Sequence, residues 1–519
     1  MVSFRRGFPL KNFLEFHSMK PVYALIAAAA LLPVTALHAA ITTTGDVQSS
    51  IPPGSTSYSL TSGGLVVGYN NAGTLTVDSG SSLSVTTQGQ VGGGAVNYVN
   101  GAGGVGDVSI TGAGSTFTYS YGTFQLGVSV GSSMEVTNGA SATFGNLGVG
   151  YGAKETSSLT ITGANLSLPT GTLYDGYSGT GNVTINGGSK VLLGRNVPMG
   201  QLAGSSGTLT ITGAGTEVDM TSTFTGSSGI RVGYNGSSTL NIGDGALLKF
   251  TGVNNIVMGC AAGVSGTVNL SGGTVNLGGN AIYVGNGTGT FNFTGGSLIS
   301  VGAVGTATVS MPLVQQGGLF SAGTANSTVG TATIYGTYTL GTAGTLGIDL
   351  ADANGIVGTS SDYYAVTGNA TLGGALAITT AAGFTPIAGE TFNVLTAPSI
   401  NTAGLVSNGM YRYSVIAGGS GQILQLTTRL LGDANDDNKV DLSDLNIVLN
   451  NLGTTTSNWS AGNFDGAPTI DLTDLNDVLN NLGTSLPSAA SVVATPEPAG
   501  LALLAVGALL LKTRKNRRI

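Results

Sequence analysis

One run of this chain spaces its oxygen-bearing side chains as a metal loop would. Gly432-Asp433-Ala434-Asn435-Asp436-Asp437-Asn438-Lys439-Val440-Asp441-Leu442-Ser443-Asp444 puts Asp433, Asn435, Asp437, Asp441 and Asp444 at positions 1, 3, 5, 9 and 12 of a loop. The Lys439 carbonyl falls at position 7. Ca2+ takes about six to eight hard oxygen donors, and this alternation lets one short loop supply them. Position 6 needs a positive φ; Asn438 is the best residue there after glycine. Counting back from Asp474 gives a second loop, with Asp471 at 9, Thr469 at 7, Asp465 at 3 and Asn463 at 1. Ala467 and Pro468 occupy positions 5 and 6, so the second loop lacks one carboxylate and the flexible turn. We expect the second site to be the weaker one. The rival reading of each loop is a solvated acidic turn.

Each loop runs into a helical pattern. Leu445, Val448, Leu449 and Leu452 recur at helical spacing before Gly453, and Leu475, Val478, Leu479 and Leu482 do so before Gly483. The spacing is that of the EF-hand, except that position 12 is Asp. The duplicated loop and helix over 432–484 resembles a type I dockerin, in which Asp stands at position 12. That resemblance implies a calcium-folded module that binds a cohesin domain. It also implies that positions 10 and 11, here Leu442-Ser443 and Leu472-Thr473, help choose the partner.

The elements before these loops are of another kind. Short stretches alternate apolar and small polar residues, as in Thr74-Leu75-Thr76-Val77, Ser158-Leu159-Thr160-Ile161 and Thr208-Leu209-Thr210-Ile211. The first apolar residue of each copy falls at 75, 108, 134, 159, 183, 209, 240, 268 and 291, a step near 25 residues. Period-two alternation buries one face of a strand, and a unit this small must stack on its neighbours to do so. Each copy has a companion ending in Val-Gly upstream, such as Val67-Gly68, Val232-Gly233 and Val284-Gly285. Downstream comes a Gly turn and a third strand, as in Gly187-Gly188-Ser189-Lys190-Val191. Three strands per turn predict a right-handed parallel β-solenoid (β-helix) over 41–311, rising about 4.8 Å per coil. A β-propeller is the alternative, but its blades are nearer about 40 residues. These repeats resemble autotransporter-associated β-strand repeats. Residues 312–430 lose the period but stay strand-like, which predicts terminal coils and a β-rich cap. A small α-helical dockerin-like domain, 431–486, completes a mainly β fold.

Composition narrows the chemistry. Of 519 residues 87 are Gly, and only 8% are charged, which fits neither a disordered polyelectrolyte nor, with 14 prolines and no three-residue period, collagen. Both histidines, His17 and His38, lie near the N-terminus, in a segment that reads as a removable signal. A processed chain without histidine has no Ser-His-Asp or Cys-His system and no His-ligated zinc. Cys260 is the single cysteine, so no disulfide forms within one chain, and its apolar flank suggests a buried small side chain. Between 41 and 495, 8 basic against 22 acidic residues leave a net −14, which argues against a nucleic-acid partner.

Both ends read as sorting segments. Arg5, Arg6 and Lys11 (or Lys20, if Met19 starts the chain) precede an apolar run from Pro21 to Ala36 and small residues at Ala39 and Ala40, giving a signal peptide over 1–39. After a linker at 487–495, Pro496-Glu497-Pro498, an apolar stretch over 499–511 and a basic tail resemble the PEP-CTERM sorting signal of Gram-negative bacteria. The resemblance implies transient membrane anchoring and an exosortase-type processing peptidase. Together these readings predict an exported, non-catalytic surface or extracellular-matrix protein with a Ca2+-binding, cohesin-recognising module. The alternatives are a polysaccharide-binding adhesin and a polysaccharide-degrading lyase or glycosidase. An enzyme would draw on Lys190, Arg195, Arg231, Lys249, Glu217, Asp219 and Asp244, or on Asp349, Asp352 and Asp362. Exposed sugar-stacking aromatics are not evident, since the single tryptophan, Trp459, lies between the two loops.

Overall fold

The computed structural model describes residues 39–487 except 50, 62–63, 87–89, 92–93, 96–97, 100–103, 224–228, 301–306, 324–327 and 408. The signal segment before Ala39, the linker after Pro487 and the sorting segment 496–519 lie outside the described residues. The fold is mainly β, 52% strand and 6% helix, and forms a β-solenoid of about 12 turns.

Three strand columns run along the solenoid. The first joins Gly73–Asp78, Gly106–Thr111, Ser133–Thr137, Thr156–Thr162, Thr180–Asn186, Ser206–Ile211 and Ser238–Ile242 in parallel pairs, then enters Ser265–Asn276 and Thr288–Ile299. Its register is the one the repeat predicts. Leu75, Val108, Met134, Leu159, Val183, Leu209, Leu240, Val268 and Phe291 are successive partners. All but Phe291 are buried; Phe291 is partly buried against the core. The residues between them face solvent and pair as a polar ladder. Asn292 donates to Asn269, and Asn269 to Asn241, each at 2.7 Å.

The second column stacks such strands as Asn165–Leu168, Lys190–Leu193, Glu217–Met220 and Leu247–Phe250. The third holds the Val-Gly strands, including Leu173–Asp175, Val197–Met199, Gly229–Val232 and Asn255–Met258. Gly233 shows why glycine closes these strands. Its φ is +78°, and a Cβ there would sit 2.5 Å from the Ser265 carbonyl oxygen of the next coil.

Parallel coils continue past residue 312, through Thr331–Ile334, Tyr338–Leu350, Tyr363–Val366 and Ala375–Thr380. Strand direction reverses at both ends. Ala40–Gly45 lies antiparallel on Gly73–Asp78, and Val47–Gln48 on Val66–Val67. At the other end Gly421–Thr428 runs antiparallel to both Thr391–Ala397 and Tyr411–Gly418. The chain then forms two helices, α1 (Leu442–Asn451) and α2 (Leu472–Asn481). They share a separate core of Ala434, Val440, Val448, Trp459, Phe464, Ile470 and Val478.

Candidate metal centre

The two helices begin in the same way because their loops end in the same residues. Asp441 caps α1 and accepts from the Ser443 N–H at 2.7 Å, while its own N–H donates to Asp444 at 2.9 Å. Asp471, Thr473 and Asp474 repeat this box on α2 at 2.7 and 2.9 Å. Carboxylates at a helix N-terminus satisfy orphan N–H groups and face the positive end of the helix dipole. The second oxygen of each position-12 Asp reaches back to the start of its loop. Asp444 accepts from Ala434 at 2.9 Å and Asp474 from Phe464 at 2.7 Å. One buried side chain thus closes each loop.

The halves also brace each other. Val440 pairs with Gly483 and Thr484 behind α2, and Ile470 pairs with Gly453 and Thr454 behind α1. Gly432 admits the chain into this unit with φ +94°; a Cβ there would lie 3.0 Å from Asp477 O and Val478 Cα.

Asp433, Asp444, Asn463 and Asp474 are buried, whereas Asn435, Asp437, Asp441, Asp465 and Asp471 reach solvent. Burial pushes Asp433 up to about 6, although N–H groups of Asn438 and Asp437 favour its anion. Backbone donation from Ser443 and Thr473 holds Asp441 and Asp471 below the usual carboxylate range. Asp477 is raised by burial, then by Asp474 and Asp465. In the second loop Asp465, Asp471 and Asp474 bring carboxylate oxygens within 4.8 Å of one another. This gathering occurs in the loop expected to be weaker. Ala467 at position 5 contributes its N–H to Asp465 at 2.8 Å.

The helical leucines divide unequally. Val448 and Val478 are buried and Leu445 and Leu475 partly so, but Leu449, Leu452, Leu479 and Leu482 are exposed. Leu442 and Leu472 are the most exposed of the helical leucines, each at 66%. Equivalent positions of the two helices therefore present the same apolar side chains.

On the solenoid, four of the candidate catalytic residues come together. Lys190 and Lys249 meet Glu217 at 2.9 and 2.6 Å, and Lys249 meets Asp219 at 3.2 Å. Hydrogen bonds from Lys249 and Lys190 lower Glu217, and donation to Glu217 raises Lys249. Both shifts move away from the neutral range in which acid–base catalysts work best. Arg231 instead lies over the Tyr234 ring at 4.9 Å, and Asp244 accepts from Thr212 at 2.7 Å. Near the far end, Asp362 accepts from the N–H groups of Gly330 (2.7 Å) and Asp349 (3.1 Å), and burial raises it to about 7. Asp349, also raised by burial, accepts from Thr379. Asp352 turns away to the Asn354 N–H.

Two features escaped the sequence reading. Tyr151 and Tyr177 stack with centroids 4.2 Å apart, and Tyr174 meets Tyr177 edge-on at 5.2 Å, all three partly exposed. The signal was a tyrosine after the Val-Gly or Asp-Gly corner, which stacking brings into line. Cys260 occupies an equivalent corner and is partly exposed rather than buried, with its thiol raised by desolvation.

Compared with known proteins, the chain matches no family model and no curated protein. Among the described residues no helix is long and apolar enough to cross a membrane.

Proposed function

We propose that this chain is an exported, non-catalytic scaffold of the cell surface or extracellular matrix: a right-handed β-solenoid, capped by its antiparallel end strands, that carries a dockerin-like Ca2+-binding interaction module. The carrying observation is the repeated loop closure, in which Asp444 and Asp474 are each buried and tied to both ends of their own loop. Hard anionic oxygens, partly desolvated and without sulfur or imidazole donors, match the ligand preference of Ca2+. Asp433, Asn435, Asp437, the Lys439 carbonyl, Asp441 and Asp444 would hold one ion. Asn463, Asp465, the Thr469 carbonyl, Asp471 and Asp474 would hold another. The ions would supply charge neutralisation and loop order.

The matching exposed leucines on α1 and α2 support docking of a cohesin-like partner. The right hand of the coil follows the strong chiral preference of parallel crossovers. Export, sorting by an exosortase-type peptidase and transient anchoring through 499–511 rest on the terminal sequences. The ion-paired Glu217 cluster favours the non-catalytic reading, because its hydrogen bonds hold Glu217 low and Lys249 high.

The test is calorimetric titration of residues 39–487 with Ca2+, with circular dichroism and melting in Ca2+ or EDTA. Added helix signal and stability in Ca2+, both reduced in Asp437→Ala, support the reading; identical curves in Ca2+ and EDTA refute it. A polysaccharide-binding use of the scaffold draws support from the Tyr151–Tyr174–Tyr177 cluster, since aromatic faces pack against sugar rings. Retention on immobilised polysaccharides, lost in Tyr174→Ala, would establish it.

A further inference from the structure

Two arginines tie the first loop to the end of the solenoid. Arg429 follows the last strand, Gly421–Thr428, and Arg412 lies in Tyr411–Gly418. Arg429 grips both oxygens of Asp436, through Nε at 2.9 Å and Nη2 at 2.8 Å. It also donates to the Gly409 carbonyl at 2.7 Å and lies over the Trp459 ring at 5.3 Å. The Trp459 indole N–H donates to the Asp433 carbonyl at 2.5 Å. Arg412 Nη2 donates to the Asn438 side-chain oxygen at 2.9 Å.

The residues held are the two that the loop strains. Asp436 at position 4 has φ +58° and Asn438 at position 6 has φ +66°, both left-handed without being glycine. The second loop places Gly466 at position 4, with φ +75°, and Pro468 at position 6. Left-handed backbone is costly for residues with a Cβ, and charge-assisted, bidentate hydrogen bonds are among the stronger compensations. A short connection follows Arg429, and the chain after α2 comes back to the same end. There the Leu486 N–H donates to the Asn438 carbonyl at 2.9 Å, and its side chain fills the space over Gly389.

We propose that Arg412 and Arg429 are positioning residues of the first metal loop. They hold positions 6 and 4 in the binding conformation, so that cation binding and ordering of the terminal hairpin are one coupled event. This inference rests on the Ca2+ reading of the loop. The module is then a fixed end-piece of the solenoid rather than a tethered appendage, and the first loop is set apart from the second by its docking.

The test uses residues 39–487 and two readouts: Trp459 fluorescence during a Ca2+ titration, and hydrogen exchange of Tyr411–Gly418 and Gly421–Thr428 with and without Ca2+. The wild type should change its Trp459 signal on binding, and Ca2+ should slow exchange in the hairpin. Arg412→Ala and Arg429→Ala should each weaken the first transition about tenfold, the scale set by one strained left-handed residue. Asn438→Gly provides the decisive background: glycine needs no clamp, so adding Arg412→Ala to it should leave the titration unchanged. This comparison keeps the test informative if Arg429→Ala folds poorly. A wild-type Trp459 response with arginine variants titrating like wild type, or with hairpin exchange indifferent to Ca2+, overturns the coupling and leaves the calcium reading standing. No response to Ca2+ in the wild type overturns both.

Discussion

Asp175 offers a quantitative test of the solenoid interior. It occupies an inward position of the third column, between Val149 and Met199, with Val232 one coil further on. It is fully buried, and neither carboxyl oxygen has a hydrogen-bonding partner among the described residues. A Cβ on Gly181 or Gly207 would lie 2.3 or 2.9 Å from those oxygens, so the carboxyl is packed directly against the backbone of neighbouring strands. Desolvation raises Asp175 well above its ordinary value of 3.8, so burial favours its neutral form. The sign follows from proton counting. Above its ordinary value the unfolded chain releases a proton that the folded chain keeps, so stability falls as pH rises until the folded group ionises. While the folded acid keeps its proton, that loss cannot exceed about 1.4 kcal/mol per pH unit, the limit for a single proton. Asp175→Asn keeps the shape and removes the titration. Urea unfolding of both proteins between about pH 4 and pH 7 should show the variant gaining on wild type as pH rises, by at most about 1.4 kcal/mol per unit. A gap that does not change with pH would refute a neutral buried Asp175.

Other expectations follow from neighbouring contacts. Phe124 is fully buried, with the Tyr119, Phe144 and Phe117 rings 5.3, 5.4 and 5.6 Å away, so Phe124→Ala should cost about 3–5 kcal/mol in unfolding experiments. Asp362, raised to about 7 by burial, should stabilise its surroundings most in acid and lose that contribution as pH rises through about 7. Asp362→Asn should flatten the pH dependence of hydrogen exchange in Tyr363–Val366, beyond the intrinsic exchange rate.

The first column was legible in the sequence because each copy repeats the same alternation at nearly constant spacing. Leu75 to Phe291 could therefore be aligned by counting, and the ladder pairs those residues. Asp175 was legible in principle, since it precedes Gly176 where other copies place Val or Met before glycine. The tyrosine stack was harder to read, because residues 151, 174 and 177 meet only after one coil closes on the next. For the two acidic loops, spacing revealed the oxygen sets and the helix caps. The clamps on Asp436 and Asn438 were hidden, because Arg412 and Arg429 lie upstream in a hairpin whose fold alone aims them at the loop. Nor could counting carboxylates foretell that Asp465, Asp471 and Asp474 converge in the poorer loop.

The reversed strands at the solenoid's ends set a length. A parallel ladder can in principle grow by adding another copy to its last coil, as fibres do. Here Ala40–Gly45 at one end and Gly421–Thr428 at the other run against the interior direction, and Tyr411–Gly418 turns back beyond the latter. About 12 turns at about 4.8 Å each make a rod of roughly 60 Å. The span of the rod follows from its number of turns, and the two acidic loops stand at one end of it, where Arg429 meets Asp436 and Leu486 packs over Gly389.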